Sequence, residues 1–292
     1  MSMMMKNKVI AVVGATASGK TDYAINLAKK IDGEIISADS RLVYKDMNIG
    51  TAKPTDCEMQ GVPHYMINVV EPTVEYSAGL YVSDAKKYIE DILKRGKTPI
   101  VAGGTGLYFR LLLENYNIPL VKPNKKLRDE LNTKSFEELY SILKKLDFEA
   151  ALSVELNDKK KIIRYIEIVS STGLPLSKSR GTKDCEYEVD WIGLNFSRDI
   201  LYERINQRVD FMIKSGLVDE ARFLLKKYGK VPNITDTIGY REIISYLDGV
   251  CSLDEAINKL KQNTRNYAKR QLTWFRKNEL IKWNYYPEKL KK

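Results

Sequence analysis

A chain of 292 residues is long enough for one large domain, or for one domain that carries an insertion. Its 43% hydrophobic and 29% charged residues are typical of a globular protein. Three scattered cysteines and a single histidine argue against a zinc site and against a disulfide framework. No run of about twenty apolar residues predicts a membrane span, and we expect a cytoplasmic protein. The net charge of +10 fits either a well-solvated surface or a polyanionic partner, and charge alone does not decide between them.

The first third of the chain alternates between strand and helix patterns. An apolar run rich in β-branched residues at 8–15 predicts a strand buried on both faces. A helix is predicted at 21–31, a second strand at 34–37, a helix at 81–95, a third strand at 98–102 and a helix at 107–113. Such alternation predicts an α/β fold with a parallel sheet.

The pattern changes near residue 115, where Pro119 and Pro123 interrupt the chain. Only helical patterns follow, at 125–131, 136–146 and 159–170, until a strand at 191–196. We therefore predict a core formed by residues 1–114 and 191–292, with an all-helical insertion at 115–190. Four more helices are predicted at about 199–214, 217–227, 238–247 and 253–277, before a last strand at 281–286.

The turn after the first strand carries a complete phosphate-binding motif, GxxxxGK[ST]. Its glycines let several backbone amides converge on a phosphate, and the following helix adds its positive N-terminal end. The lysine supplies a full charge, and the threonine hydroxyl can bind Mg²⁺. The motif consists of Gly14, Ala15, Thr16, Ala17, Ser18, Gly19, Lys20 and Thr21. The fold class is thus an α/β P-loop parallel sheet with helices on both faces, plus the helical insertion.

Two further observations concern the chemistry at this edge of the sheet. The strand at 98–102 ends in glycines rather than in the aspartate that usually supports the metal of a P-loop hydrolase, which weakens an ATPase interpretation. Asp39 follows the second strand directly, and residues just beyond strand ends line the ligand crevice of an open parallel sheet. Its carboxylate could act as a general base, or it could simply cap a turn.

Several motifs, in order along the chain, resemble those of the tRNA dimethylallyltransferase family, bacterial type. The similarity extends from Val9 to Arg276. Three departures occur, Leu42, Asn68 and Lys161, where the family often has glutamine, aspartate and arginine. The matching segments are 38–44 (ADSRLVY), 48–54 (NIGTAKP), 61–64 (GVPH), 76–77 (YS), 103–108 (GGTGLY), 157–158 with Arg164, 239–242 (GYRE), and 264–271 with 273–274 (TRNYAKRQ, TW).

The resemblance implies transfer of a dimethylallyl group from dimethylallyl diphosphate to an adenosine amine beside the tRNA anticodon. The diphosphate would occupy the P-loop together with Mg²⁺, and Asp39 would take the amine proton. One of Arg204 and Arg208, which share a helix face, would reach the diphosphate; the alternative is ordinary helix charge. The residues that resemble tRNA-contacting positions are Asp39, Ser40, Arg41, Leu42, Thr105, Lys160, Lys161, Ile162, Ile163 and Arg164.

The last long helix offers a separate indication of RNA binding. Leu253, Ile257, Leu260, Thr264, Tyr267 and Trp274 form one stripe that we expect to be buried. Arg265, Lys269 and Arg276 lie on another face, where they could contact RNA phosphates or simply keep the helix solvated.

Three alternative functions stay open from the sequence. The chain could be a P-loop small-molecule kinase, an adenylate isopentenyltransferase that acts on free nucleotides, or a non-catalytic RNA-binding module. We expect a monomer whose partners are a tRNA anticodon stem-loop and dimethylallyl diphosphate, with no membrane and no zinc.

Overall fold

The computed structural model describes residues 7–114, 116–117, 119, 121, 123–155, 158–176, 181–182 and 186–286. Asn157 and Cys185 lie outside these residues. The chain divides into two compact units, one formed by residues 1–112 and 186–292, and the other by residues 113–185. The core unit resumes a few residues before the predicted position 191, because its strand there begins at Tyr187.

A six-stranded sheet forms the centre of the core unit. Its strands are β1 (Asn7–Gly14), β2 (Gly33–Ala38), β3 (His64–Tyr65), β4 (Thr98–Gly103), β7 (Tyr187–Phe196) and β8 (Lys282–Tyr286). Their order across the sheet is β3-β2-β4-β1-β7-β8, and every pairing is parallel. The carboxyl ends of β1, β2 and β4 therefore meet at one edge, where Ala38 pairs with Gly103 and Val13 pairs with Gly103 from the other side.

Helices cover both faces of this sheet. On one face, α1 (Lys20–Ile31) buries Ala24, Ile25 and Ala28 against β1, β2 and β4. Alternate residues of the same strands point to the other face, where α3 (Ala78–Lys94) packs against β2 and β4. Further helices of the core unit are α2 (Asp56–Met59), α4 (Gly106–Leu113), α9 (Arg198–Lys214), α10 (Leu217–Tyr228), α11 (Pro232–Thr235), α12 (Tyr240–Leu247) and α13 (Leu253–Phe275).

The second unit has its own small core. Helices α5 (Lys125–Asn132), α6 (Phe136–Leu146), α7 (Phe148–Leu152) and α8 (Lys159–Thr172) bury residues such as Leu139, Leu143 and Ile166. Two short strands, β5 (Tyr116–Asn117) and β6 (Gly181–Thr182), pair antiparallel. This pair was not predicted, because strands of two residues are too short to show a periodic pattern.

Other differences from the predicted elements are small. Helix α12 begins at Tyr240 rather than at 238, because the Glu242 carboxylate accepts the amide of Gly239 and fixes the helix start there. The two-residue edge strand β3 was not predicted. Among the described residues, no helix is long and apolar enough to cross a membrane.

Candidate active site

A cavity of about 530 Å³ opens at the edge where β1, β2 and β4 end. The P-loop forms one side of it and the segment after β2 forms another, as expected for the crevice of an open parallel sheet. Its charged lining residues are the cations Lys20, Arg41, Arg208, Arg241 and Arg270 and the acids Asp39 and Asp236. This excess of positive charge suits an anionic ligand.

The P-loop backbone is shaped to receive a phosphate. Ala17 and Gly19 both have positive φ angles, 62° and 77°, which curls the loop before α1 begins at Lys20. A side chain at Gly14 would place its Cβ 2.5 Å from the carbonyl oxygen of Leu194, so only glycine fits there. The Ser18 hydroxyl oxygen is buried and has no hydrogen-bond partner, which leaves it available to a ligand in the loop.

A glutamine from α13 braces this loop. Gln271 is only 5% exposed. Its side-chain oxygen accepts a hydrogen bond from the Thr16 amide at 2.8 Å, and its Nε2 donates to the Gly104 carbonyl at 2.9 Å. Gln271 therefore ties the P-loop to the end of β4. Gln271 lies in the family motif at 264–271, but no role was predicted for it from the sequence.

Lys20 is folded back onto its own loop. Its Nζ donates to the Ala15 carbonyl oxygen at 2.6 Å. Burial, with a smaller effect from the Arg208 guanidinium, lowers the pKa of Lys20 to about 7, while the Asp39 carboxylate acts in the opposite direction. An anion in the P-loop would restore the full charge of this lysine.

The structure separates the roles of Arg204 and Arg208, which the sequence could not. Arg208 lines the cavity, and its Nη1 donates to the Thr16 hydroxyl at 3.2 Å. Arg204 donates its Nε to the Ala17 carbonyl at 2.8 Å and stacks over the Phe196 ring. Arg208 thus faces the cavity beside the P-loop, whereas Arg204 supports the loop from outside the cavity lining.

Asp39 lies within electrostatic reach of both cations. Its carboxylate raises the pKa of Lys20 and of Arg208, against the larger effect of burial, which lowers both. One carboxylate oxygen, Oδ1, accepts the Arg41 amide at 2.8 Å and so closes a turn. Thr105 supports this turn, because its hydroxyl accepts the Ser40 amide at 3.0 Å. Asp39 therefore does form a turn, as one of the two predictions had it. It also lines the cavity, where its second carboxylate oxygen, Oδ2, could accept a proton.

Three cavity residues carry chemistry that the sequence analysis did not assign. Arg241 and Arg270 add positive charge to the cavity lining, and both belong to motifs noted in the sequence. The Glu242 carboxylate holds the Arg241 guanidinium through its Nε and Nη2. His64 also lines the cavity; its Nδ1 lies 2.8 Å from the Val62 carbonyl, and its Nε2 is buried without a partner.

The remaining predicted RNA residues lie outside the lining of this cavity. In α8, Ile162 and Ile163 are only 0% and 6% exposed, so their side chains form the core of the second unit and cannot contact RNA as predicted. Lys160 is exposed, and Arg164 donates to Glu167 and to the Val121 carbonyl.

The predicted stripe of α13 holds at Leu260, which is buried, and at Leu253 and Ile257, which pack against the core. Its end differs, because Trp274, expected to be buried, is 41% exposed and Phe275 is buried instead. The buried residues of this helix also include Ala256 and Ala268. Arg265 is half-buried and donates to the Asn206 side chain at 2.7 Å, whereas Lys269 is exposed.

The parallel sheet with a phosphate-binding motif at the end of β1 and an acid at the end of β2 is typical of P-loop proteins. A family model described as IPP transferase matches residues 42–278. A tRNA dimethylallyltransferase of Thermoanaerobacter pseudethanolicus is 48% identical over 289 residues, covering 96% of this chain and 92% of the relative. The chain belongs to this family, the tRNA dimethylallyltransferases, which are prenyltransferases.

Solved structures agree with this assignment. The tRNA isopentenylpyrophosphate transferase of Bacillus halodurans is 40% identical, with a TM-score of 0.72, and the match covers 96% of this chain and 90% of that one. A eukaryotic dimethylallyltransferase, solved acting on tRNA, is 30% identical, with a TM-score of 0.85 over 96% of this chain and 74% of that one.

Proposed function

We propose that this enzyme transfers a dimethylallyl group from dimethylallyl diphosphate to the N6 amine of an adenosine in tRNA. The adenosine is the one 3′-adjacent to the anticodon in tRNAs that read codons starting with U, and the product is N6-isopentenyladenosine. One observation carries the proposal: the cavity brings Asp39 into electrostatic reach of Lys20 and Arg208 beside a phosphate loop.

The adenine amine is a poor nucleophile, because its lone pair is delocalised into the ring. In the proposed step its nitrogen attacks C1 of the allylic donor, and a new C–N bond forms. The C1–O bond breaks, and its electron pair leaves with the diphosphate. The amine proton passes to Asp39, so that no positive charge is left on the adenine.

The P-loop side of the cavity would stabilise the departing diphosphate. Lys20, Arg208 and the amides of the P-loop face the oxygens on which negative charge develops. A magnesium ion fits this site, because Thr21 offers a hydroxyl in the cavity lining and Mg²⁺ takes many of its ligands from substrate phosphates and water. When bound, the ion would neutralise part of the diphosphate charge.

The acceptor side suits a nucleotide that has been turned out of its stack. Arg41, Arg241 and Arg270 also line the cavity and can meet the phosphates that flank the target base. On the second unit, exposed Lys160 is proposed to contact the anticodon stem-loop. The cytoplasmic location and the monomeric state stay predictions.

The test combines purified protein, Mg²⁺ and labelled dimethylallyl diphosphate with an unmodified tRNA that reads a UNN codon. Nucleoside mass spectrometry identifies the product, and a tRNA with guanosine at the target position is the matched control. We expect label in the first tRNA only, and at least a hundredfold loss with Asp39→Asn. Label in AMP alone would instead support a free-nucleotide isopentenyltransferase, and phosphate transfer from ATP a kinase.

A further inference from the structure

Two segments of the core unit, called here the first and second wall, line the cavity outside the P-loop. The first wall is residues 50–54, of which Gly50, Thr51, Ala52 and Pro54 line the cavity. The second wall is residues 236–241, at the start of α12, which contributes Arg241. Neither wall belongs to the P-loop, where the proposed function puts the donor diphosphate, and on that basis both walls are assigned to the acceptor.

One carboxylate joins the two walls from behind. Glu220, in the first turn of α10, is absent from the cavity lining. Its Oε2 accepts the amides of Asn48 and Ile49 at 3.0 and 2.8 Å, and its Oε1 accepts the Gly50 amide at 2.9 Å. Oε1 also accepts the Tyr240 hydroxyl at 2.7 Å. Four donors thus converge on a single side chain: one from each wall, and the amides of the two residues that directly precede the first wall.

The two walls also touch each other closely at this point. A Cβ added to Gly50 would lie 2.5 Å from Cζ of Tyr240, so the first wall rests directly on the phenol ring. Tyr240 is fully buried, so the side chains packed around its ring restrict its movement. The hydrogen bonds to Glu220 therefore set the position of a rigid contact rather than of a loose loop.

The last turn of α10 makes a second tie to the segment before the first wall. Lys227 and Tyr228 both donate to Oδ2 of Asp46 at 2.6 Å, and Tyr228 also donates to Glu71. This segment starts at Asp39, so one helix holds the chain between the proposed base and the first wall at two points.

We propose that Glu220 is a positioning residue for the acceptor: its carboxylate fixes the two cavity walls against which the RNA nucleotide is placed. The inference rests on the proposed function for the identity of the acceptor. A glutamine at this position keeps the size of the side chain but replaces one acceptor oxygen with a donor. Its NH₂ group would then face backbone N–H groups, and at least one of the four hydrogen bonds would be lost.

The experiment compares steady-state kinetics of the full chain and of Glu220→Gln, with tRNA and prenyl donor varied separately. Asp219→Asn, which removes an exposed charge from the same helix, is the charge-matched control. Glu34→Gln, which breaks a buried ion pair at the opposite end of β2, is the control for lost stability. We expect kcat/KM for tRNA to fall at least tenfold in Glu220→Gln, with the donor KM within twofold of the unsubstituted protein.

Hydrogen exchange supplies a readout that does not depend on the reaction. In Glu220→Gln, we expect the amides of residues 48–50 to exchange at least tenfold faster, while those of the P-loop keep their rates. A tRNA kcat/KM within twofold of the unsubstituted protein would overturn the inference, as would an equal loss toward tRNA and donor. If the unsubstituted protein modified no tRNA, the proposed function would fail instead, which is a distinguishable result.

Discussion

Replacing Gln271 with methionine removes both polar ends of the brace between the P-loop and β4 and keeps a linear side chain of similar size. The Thr16 amide and the Gly104 carbonyl then lose their partners. The Gly104 carbonyl is buried, and a buried unpaired backbone group costs about 1–3 kcal/mol. The Thr16 amide is half-buried beside the cavity and adds less than this. Burying an apolar side chain offsets part of the cost, and we expect the free energy of unfolding to fall by about 1–3 kcal/mol.

Urea unfolding followed by tryptophan fluorescence measures this change. All three tryptophans, Trp191, Trp274 and Trp283, lie in the core unit, so the signal reports on that unit. The control is Gln262→Met, at an exposed position of the same helix where the side chain accepts a hydrogen bond from Lys259. We also expect a donor KM at least fivefold higher in Gln271→Met, because the P-loop loses its support. A free energy of unfolding within 0.5 kcal/mol of the unsubstituted protein, a threshold below the ~1–3 kcal/mol expected, would refute this reasoning.

Three further predictions concern charged groups. Burial lowers the pKa of Lys20 to about 7, so donor affinity relative to Lys20→Met should fall up to tenfold per pH unit as the pH rises above 7. Calorimetry from pH 6 to 9 would show a constant ratio if Lys20 stayed charged. Arg208→Gln should raise the donor KM at least tenfold and Arg204→Gln less than threefold, and steady-state kinetics showing the reverse order would contradict the assignment of Arg208 to the diphosphate. The hydrogen bonds from Arg95 lower the pKa of Glu34 from 4.5 to about 2. The ionised Glu34 therefore stabilises the protein above pH 4.5, and the protein loses up to about 3 kcal/mol of folding free energy as the pH falls toward 2. Thermal melts at pH 3–7 should show a flatter dependence of Tm on pH in Glu34→Gln.

The centre of the fold and the donor side of the site could be predicted from the sequence. The apolar run of β1, the glycine-rich turn and the start of α1 are neighbours in the chain, so their pattern alone fixes their arrangement. Asp39 could be placed for a similar reason, because strand ends in a parallel sheet meet at one edge.

The acceptor side depends on contacts between distant segments, which a sequence pattern does not contain. Arg204 and Arg208 share a helix face, and only the position of that helix over the P-loop distinguishes them. Glu220 and Gln271 look like ordinary helix residues until the backbone groups that they bind are known. The burial of Phe275 in place of Trp274 at the end of α13 likewise does not follow from helical spacing alone.

The single histidine of the chain gives the cavity a built-in spectroscopic reporter. His64 lines the cavity with a buried, unpartnered Nε2, and no second imidazole exists to overlap its signal. One ¹⁵N-labelled histidine would therefore yield one pair of ring resonances in the unsubstituted protein. Their shifts on adding donor, diphosphate or RNA would separate the occupancy of each part of the cavity, without any mutation or attached dye.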